Sequence, residues 1–149
     1  MTADEALINS HKNALKDDAV LVVSAKCQVD RRSGDLRLGL VQAWDLPAAR
    51  CRFGRYLQVQ VALDGTDHRA PQVASLLQAF PPKIEETPQG AMSQAISQGL
   101  DVRLAVQLEQ AQVALQLGEE FRCFPSDAAL AAWMAQAHQG QAKVVYDGP

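Results

Sequence analysis

Three arginines crowd one turn. In the stretch CQVDRRSGDLRLG, residues 27–39, Arg31 and Arg32 stand side by side at the tip of a hairpin pattern, and Arg37 sits on the returning strand. Guanidinium groups so placed can grip the phosphates of a polyanion. The competing reading is an exposed turn that takes charge for solubility, with Asp30 and Asp35 as local counterions. The formal net charge of −3 argues against a dedicated nucleic-acid binder, but it hides an asymmetry. Residues 26–55 hold seven Lys/Arg against three Asp/Glu, whereas residues 56–149 hold five against ten. A basic stretch followed by an acidic one suggests two modules with different partners.

Other chemistry is harder to find. Asp17-Asp18, Glu85-Glu86 and Glu119-Glu120 are adjacent pairs. Neighbours in a strand or loop point apart, so this is the wrong spacing for acid/base partners or a two-metal site. ALDGTD and RSGD are ordinary turns rather than phosphate loops. Cys27, Cys51 and Cys123, with His11, His68 and His138, show no zinc-ligand spacing. His138 falls near a helix C-terminus, where a surface imidazole suits the helix dipole. The residues therefore predict no catalytic centre and no metal or cofactor of the chain's own. An odd number of thiols fits a reducing cytoplasm. The N-terminus lacks a basic-plus-apolar leader pattern and no apolar run approaches membrane-spanning length, so no membrane association is expected.

The elements follow from periodicity. TADE is a capping box, with Thr2 and Glu5 in reciprocal positions, and Leu7, Ile8, His11 and Leu15 continue at helical spacing over about residues 3–16. AVLVVSAKCQV then alternates, the Ser33-Gly34 turn follows, and Leu36, Leu38 and Leu40 alternate on the return, predicting a β-hairpin. A helix and a hairpin cannot close a sheet or hide both its edges, so this unit is expected to pair with the second one, to pair with another chain, or to lack strands that precede it in a larger protein.

Asp45, Pro47 and Gly54 mark a short linking helix. Leu57, Val59, Val61 and Leu63 predict a strand ended by Asp64-Gly65. Pro71 then opens a helix with Val73, Leu76, Leu77 and Phe80 on one face. Residues 81–99 read as a surface excursion in which AMSQAISQ forms a helical turn. Val102 to Leu108 and Val113 to Leu117 alternate around a turn at Glu109-Gln110-Ala111. Gly118 suggests a bulge before EEFRCF prolongs the strand. Ser126 caps a last helix with Leu130, Trp133, Met134 and Ala137 on its buried stripe; Gly140 ends it, and AKVVYD forms a final strand. The order β-α-β-β-α-β is that of a ferredoxin-like split βαβ sandwich. Trp133 and Phe121 are interface-type residues, but their periodicity places both in the core.

Two stretches carry a resemblance that covers about residues 3–147. NALKDDAVLVVSAKCQVDRRSGDLRLGLVQAWDL resembles the late part of the OB-fold domain in the alpha (polymerase) subunit of bacterial DNA polymerase III. There a helix ending in a charged pair leads to an apolar strand and G-x-V-x-x-D-x-x-S-G-G-L-R/K. LQLGEEFRCFPSDAALAAWMAQAHQGQAKVVYD resembles the same subunit's C-terminus, where L-R-L/F-G-x-x-W-R-V-x-x-x-D precedes a final apolar strand and an acidic end. Asp35, Ala25 and Phe121 depart from the family's glycine, glycine and tryptophan.

The resemblance implies an α+β chain of two parts. Residues 1–53 would be the C-terminal part of an OB-fold domain, and residues 54–149 a small tau-binding domain of βαββαβ order. It implies a parent that is a DNA-directed DNA polymerase, a nucleotidyltransferase using magnesium, whose active site lies upstream. This portion would be non-catalytic, would touch single-stranded template DNA weakly, and would tether the polymerase to the clamp-loader tau subunit in the cytoplasm while joining the rest of the alpha subunit. OB folds track single strands with a cationic groove and inter-strand loops. On that footing Lys26, Arg31, Arg32 and Arg37 would meet phosphates and Trp44 would stack a base. Val144, Val145, Tyr146 and Asp147 would offer a strand edge to tau, with the exposed side of helix 126–138 as a second candidate. The alternative is a stand-alone OB-type single-stranded-DNA-binding or adaptor protein.

Overall fold

The computed structural model describes residues 19–63, 72–85 and 96–147. The helix expected over 3–16, the Asp64-Gly65 turn and Pro71 lie outside these residues. The chain divides into two compact units after Ala49.

In the first unit β1 (Leu21–Val29) and β2 (Leu36–Asp45) form an antiparallel two-stranded sheet. Asp30 organises its tip. Its amide donates to the Asp35 carbonyl at 2.8 Å, its carbonyl accepts from Gly34 at 2.8 Å, and its Oδ1 accepts the Arg32 amide at 2.8 Å. Gly34 closes the loop at φ 76°, a left-handed conformation that glycine adopts without strain. The register then slips once. Ala25 faces Leu40 while Ser24 faces Gln42, so Val41 is an extra residue in β2, a bulge. At the far end Asp45 Oδ1 accepts the Ala48 amide at 2.8 Å, capping α1 (Leu46–Phe53) as its position predicted.

The second unit is an α+β sandwich. Its elements are β3 (Gly54–Leu63), α2 (Val73–Ala79), β4 (Lys83–Glu85), β5 (Ile96–Gln98), β6 (Asp101–Leu108), β7 (Gln112–Gln116), α3 (Asp127–Gln136) and β8 (Ala142–Tyr146). The main sheet runs β7-β6-β3-β8, and among the described residues β4 pairs only with β5. β3 and β6 are parallel direct neighbours, while β6–β7 and β3–β8 are antiparallel. A ferredoxin-like sheet inserts a strand between the two parallel ones. Here none intervenes, so the βαβ unit is closed rather than split. Two local expectations also change. Ile96–Gln98, within AMSQAISQ, is strand. After β7 the chain makes a 3-10 turn at Glu119–Phe121 instead of a bulged continuation, and only Cys123 returns to the sheet, through a bridge to Leu100.

The core lies on one side of the main sheet. Leu57, Val59, Val61, Val102 and Val106 point there and meet Ala129, Trp133 and Ala137 of the α3 segment, with Val73, Leu76, Leu77 and Phe80 packed against them. Alanine-rich α3 has the best intrinsic helix former at half of its 10 positions, and Ser126 Oγ accepts the Ala129 amide at 3.1 Å. The helix stops where Ala137 turns extended (ψ 148°), and Gln139 and Gly140, at φ 52° and 69°, continue the turn towards β8. Trp133 is core, as expected. Phe121 and Met134 are not: they are 45% and 47% exposed, because the 3-10 turn swings Phe121 outward and α3 presents Ala129 and Trp133 instead.

β3 begins at Gly54, directly after α1. A Cβ on Gly54 would lie 2.5 Å from the Arg50 carbonyl oxygen and 2.8 Å from Val144 Cγ1, whereas one on Gly39 meets nothing nearer than the Lys26 carbonyl at 3.9 Å. Gly54→Ala is therefore expected to destabilise the second unit by about 1–3 kcal/mol through overpacking. Gly39→Ala should stay within about 0.5 kcal/mol. Urea titrations of the two variants measure the difference.

Candidate nucleic-acid and partner interfaces

The bulge decides what each face of the hairpin carries. Cross-strand partners share a face, and alternation along β1 puts Val22, Ser24, Lys26 and Gln28 together. Their partners are Trp44, Gln42, Gly39 and Arg37. Without Val41 as an extra residue, Trp44 would fall on the opposite face with Leu36, Leu38 and Leu40. With it, the indole, Lys26 and Arg37 line one face, and Gly39 leaves the middle of that face bare. Lys26 is exposed and Trp44 half-buried. The other face holds Val23, Ala25, Cys27 and Val29 opposite Ala43, Leu40, Leu38 and Leu36.

The cations differ in availability. Arg37 is tied to Asp30 Oδ2 at 2.5 Å, although its side chain is 70% exposed. Arg31 and Arg32 are exposed at the tip, and among the described residues neither they nor Lys26 has an ion-pair partner. Arg50, counted in the basic stretch, is committed elsewhere. Its Nη1 donates to the Pro125 carbonyl at 3.0 Å and meets Asp127 at 2.6 Å. Residue-type reasoning found the cations but missed Asp30 as the organiser, Gly39 as the clearing and Val41 as the parity switch. The consecutive pair Leu40-Val41, which interrupts the alternation, was the available signal.

β8 is an outer strand of the main sheet, so among the described residues its far edge is unpaired. Of the four partner-binding candidates, Val144 is half-buried and its side chain packs against the core. Val145 turns to the opposite side, Tyr146 is 49% exposed, and Asp147 forms an exposed ion pair with Arg55 at 3.0 Å. The exposed side of α3 carries Met134 and small or polar side chains.

Among the described residues no three His, Cys, Asp or Glu side chains lie where they could jointly hold a metal ion. No described helix is long and apolar enough to cross a membrane. Neither protein-family models nor curated proteins give a match to this chain.

Cys123 is buried, accepts the Trp133 indole N–H at 3.3 Å and reaches the Phe124 carbonyl at 3.7 Å. Burial pushes its thiol pKa above the ordinary 9.0, and the indole bond opposes that rise. The folded thiol thus holds its proton more tightly than the unfolded one. Its contribution to stability is complete below pH 9.0 and is lost as pH climbs above it, at up to about 1.4 kcal/mol per pH unit. Denaturant melts from pH 8 to 11 should show this decline, and Cys123→Ala should flatten it. At neutral pH a thiol reagent should label exposed Cys27 at once and Cys123 only on unfolding.

Proposed function

We propose that this chain is a non-catalytic portion of a DNA polymerase III alpha-type subunit, acting in the cytoplasm. In this reading the hairpin rests weakly on single-stranded template DNA and the second unit tethers the polymerase to the clamp-loader tau subunit. The observation that carries the first role is the bulge at Val41, which gathers Trp44, Lys26 and Arg37 on one face. A ring and cations spread along one face suit a non-sequence-specific single-strand site, in which a base stacks at one end and phosphates are neutralised further along. Arg31 and Arg32 add two exposed cations at the tip. The second role is supported by the open edge of β8, to which an extended partner segment can add as a strand. The acidic balance of residues 56–149 suits a protein partner better than DNA.

Fluorescence anisotropy with labelled oligo-dT tests the first role. Trp44→Ala is expected to cost roughly 1–3 kcal/mol of binding. Lys26→Ala should lower the log–log salt slope by about 0.7, and the Arg31→Ala/Arg32→Ala pair by about twice that. Deleting Val41 should weaken binding as much as Trp44→Ala does, by sending the indole to the other face. Binding unchanged by all of these would return the arginines to a solvated turn.

The tether is tested by capture on the purified C-terminal domain of tau. Truncating β8 would unmake the sheet, since Ala142 and Val144 belong to its packed side. Tyr146→Ala and Asp147→Lys are milder. Each should weaken capture about tenfold, near 1.4 kcal/mol, with the far-UV spectrum unchanged. Full capture by both variants would remove the β8 edge from the interface.

A further inference from the structure

The main sheet has a second face, and its chemistry differs from the rest of the unit. The helices occupy one side, so alternation turns a row formed by Gln116, Arg103, Gln58 and Lys143, on four successive strands, to the other. The next row is Ala114, Ala105 and Gln60. Above those alanines lies a hollow of about 390 Å³, walled by Gln58, Gln60, Gln107, Gln112 and His138. A second hollow of about 270 Å³ adjoins it between Gln58, Gln60 and Lys143.

Residues 56–149 carry twice as many acids as bases, yet this face is cationic. Its one acid among the described residues, Asp101, is occupied by Arg122 at 2.8 Å. Neither Arg103 nor Lys143 has an ion-pair partner among the described residues. The Arg103 guanidinium lies 3.9 Å from the Tyr56 ring centroid, and its Nε is shielded from solvent with no hydrogen-bond partner among the described residues. Stacking holds the fork in one orientation, so little ordering remains to be done when an acceptor arrives. A carboxylate matches that fork in charge and in bidentate geometry.

From this we infer that the open face of the β7-β6-β3-β8 sheet is a docking surface for an extended acidic peptide, with Arg103 and Lys143 as its carboxylate receptors. Glutamates at alternate positions of an extended chain lie about 7 Å apart on one side, within reach of cations two strands apart. The glutamine amides, each both donor and acceptor, serve the peptide backbone, and the alanine floor admits its small side chains. A nucleic acid fits less well. Tyr56 is the one aromatic of this face among the described residues and Arg103 already covers it, so no ring is open to a base.

The probe is a fluorescein-labelled peptide of alternating Glu and Ala, titrated against the full chain by anisotropy, with a Gln/Ala peptide and oligo-dT in parallel. Binding of the Glu peptide is expected, weakened about tenfold by Arg103→Gln and by Lys143→Gln, each removing one charge-assisted contact. The Gln/Ala peptide should not bind. Lys143 is exposed, so Lys143→Gln should keep the parent unfolding midpoint and report on docking alone. Amide NMR shifts should concentrate at Gln58, Ala105 and Gln107. Trp44→Ala should leave peptide binding untouched, which separates this surface from the DNA face of the hairpin. The inference is overturned if the Glu peptide does not bind, if both charge variants bind it normally, if the Gln/Ala peptide binds equally, or if oligo-dT binding depends on Arg103.

Discussion

The second unit turns on one hydrogen bond inside its core, from the Trp133 indole N–H to Cys123 Sγ at 3.3 Å. Trp133 is fully buried, and a buried indole without an acceptor would carry a desolvation cost of about 1–3 kcal/mol. Cys123 supplies the acceptor from a strategic position. Its amide and carbonyl both bond to Leu100 at 2.9 Å, just before β6 begins. The bond therefore joins α3 to the entry of a central strand, and the apolar side chains of β3 and β6 close around it. Because the helices are committed to that side, the other side of the sheet is left mainly to glutamine and alanine, with Arg103, Lys143, Tyr56, Asp101 and Val145. The core and the candidate docking face have a single cause.

The hairpin works under a different constraint. It has no large apolar core among the described residues, where only Ala43 and Ala49 of this unit are buried. Its shape comes from backbone pairing, from the Asp30 network at the tip and from one bulge. Asp30 has a double effect: it holds the loop and also partly neutralises Arg37. The cations left for a ligand are then Arg31, Arg32 and Lys26, which lie towards one end of the hairpin, while Trp44 lies at the other.

Much of this was legible in the sequence, wherever the signal is local. Alternation located β1, β2, β3, β6, β7 and β8, and the caps at Asp45 and Ser126 form the bonds their positions imply. What failed is non-local or depends on parity. Which strand lies beside β3 is a matter of tertiary pairing, so the same β-α-β-β-α-β order served equally for a split and a closed arrangement. Phe121 and Met134 look like core residues by type, yet a 3-10 turn and the rotation of α3 expose them. For the hairpin site, the residue types were readable and their common face was not, because a single extra residue at Val41 inverts the parity of everything after it. Arg103 and its stacking on Tyr56 join residues far apart in the chain, and no spacing within either segment announces them.

The pairing of β3 with β8 has a mechanical meaning. Gly54, where the chain enters the sheet, lies opposite Tyr146, where it leaves. A load applied across these two points would peel the strands apart rung by rung instead of shearing all rungs together. Such a link yields at low force and re-zips when the tension falls. The same proximity of entry and exit means that the sheet can sit within a longer polypeptide as a side-mounted body, off the main line of pull.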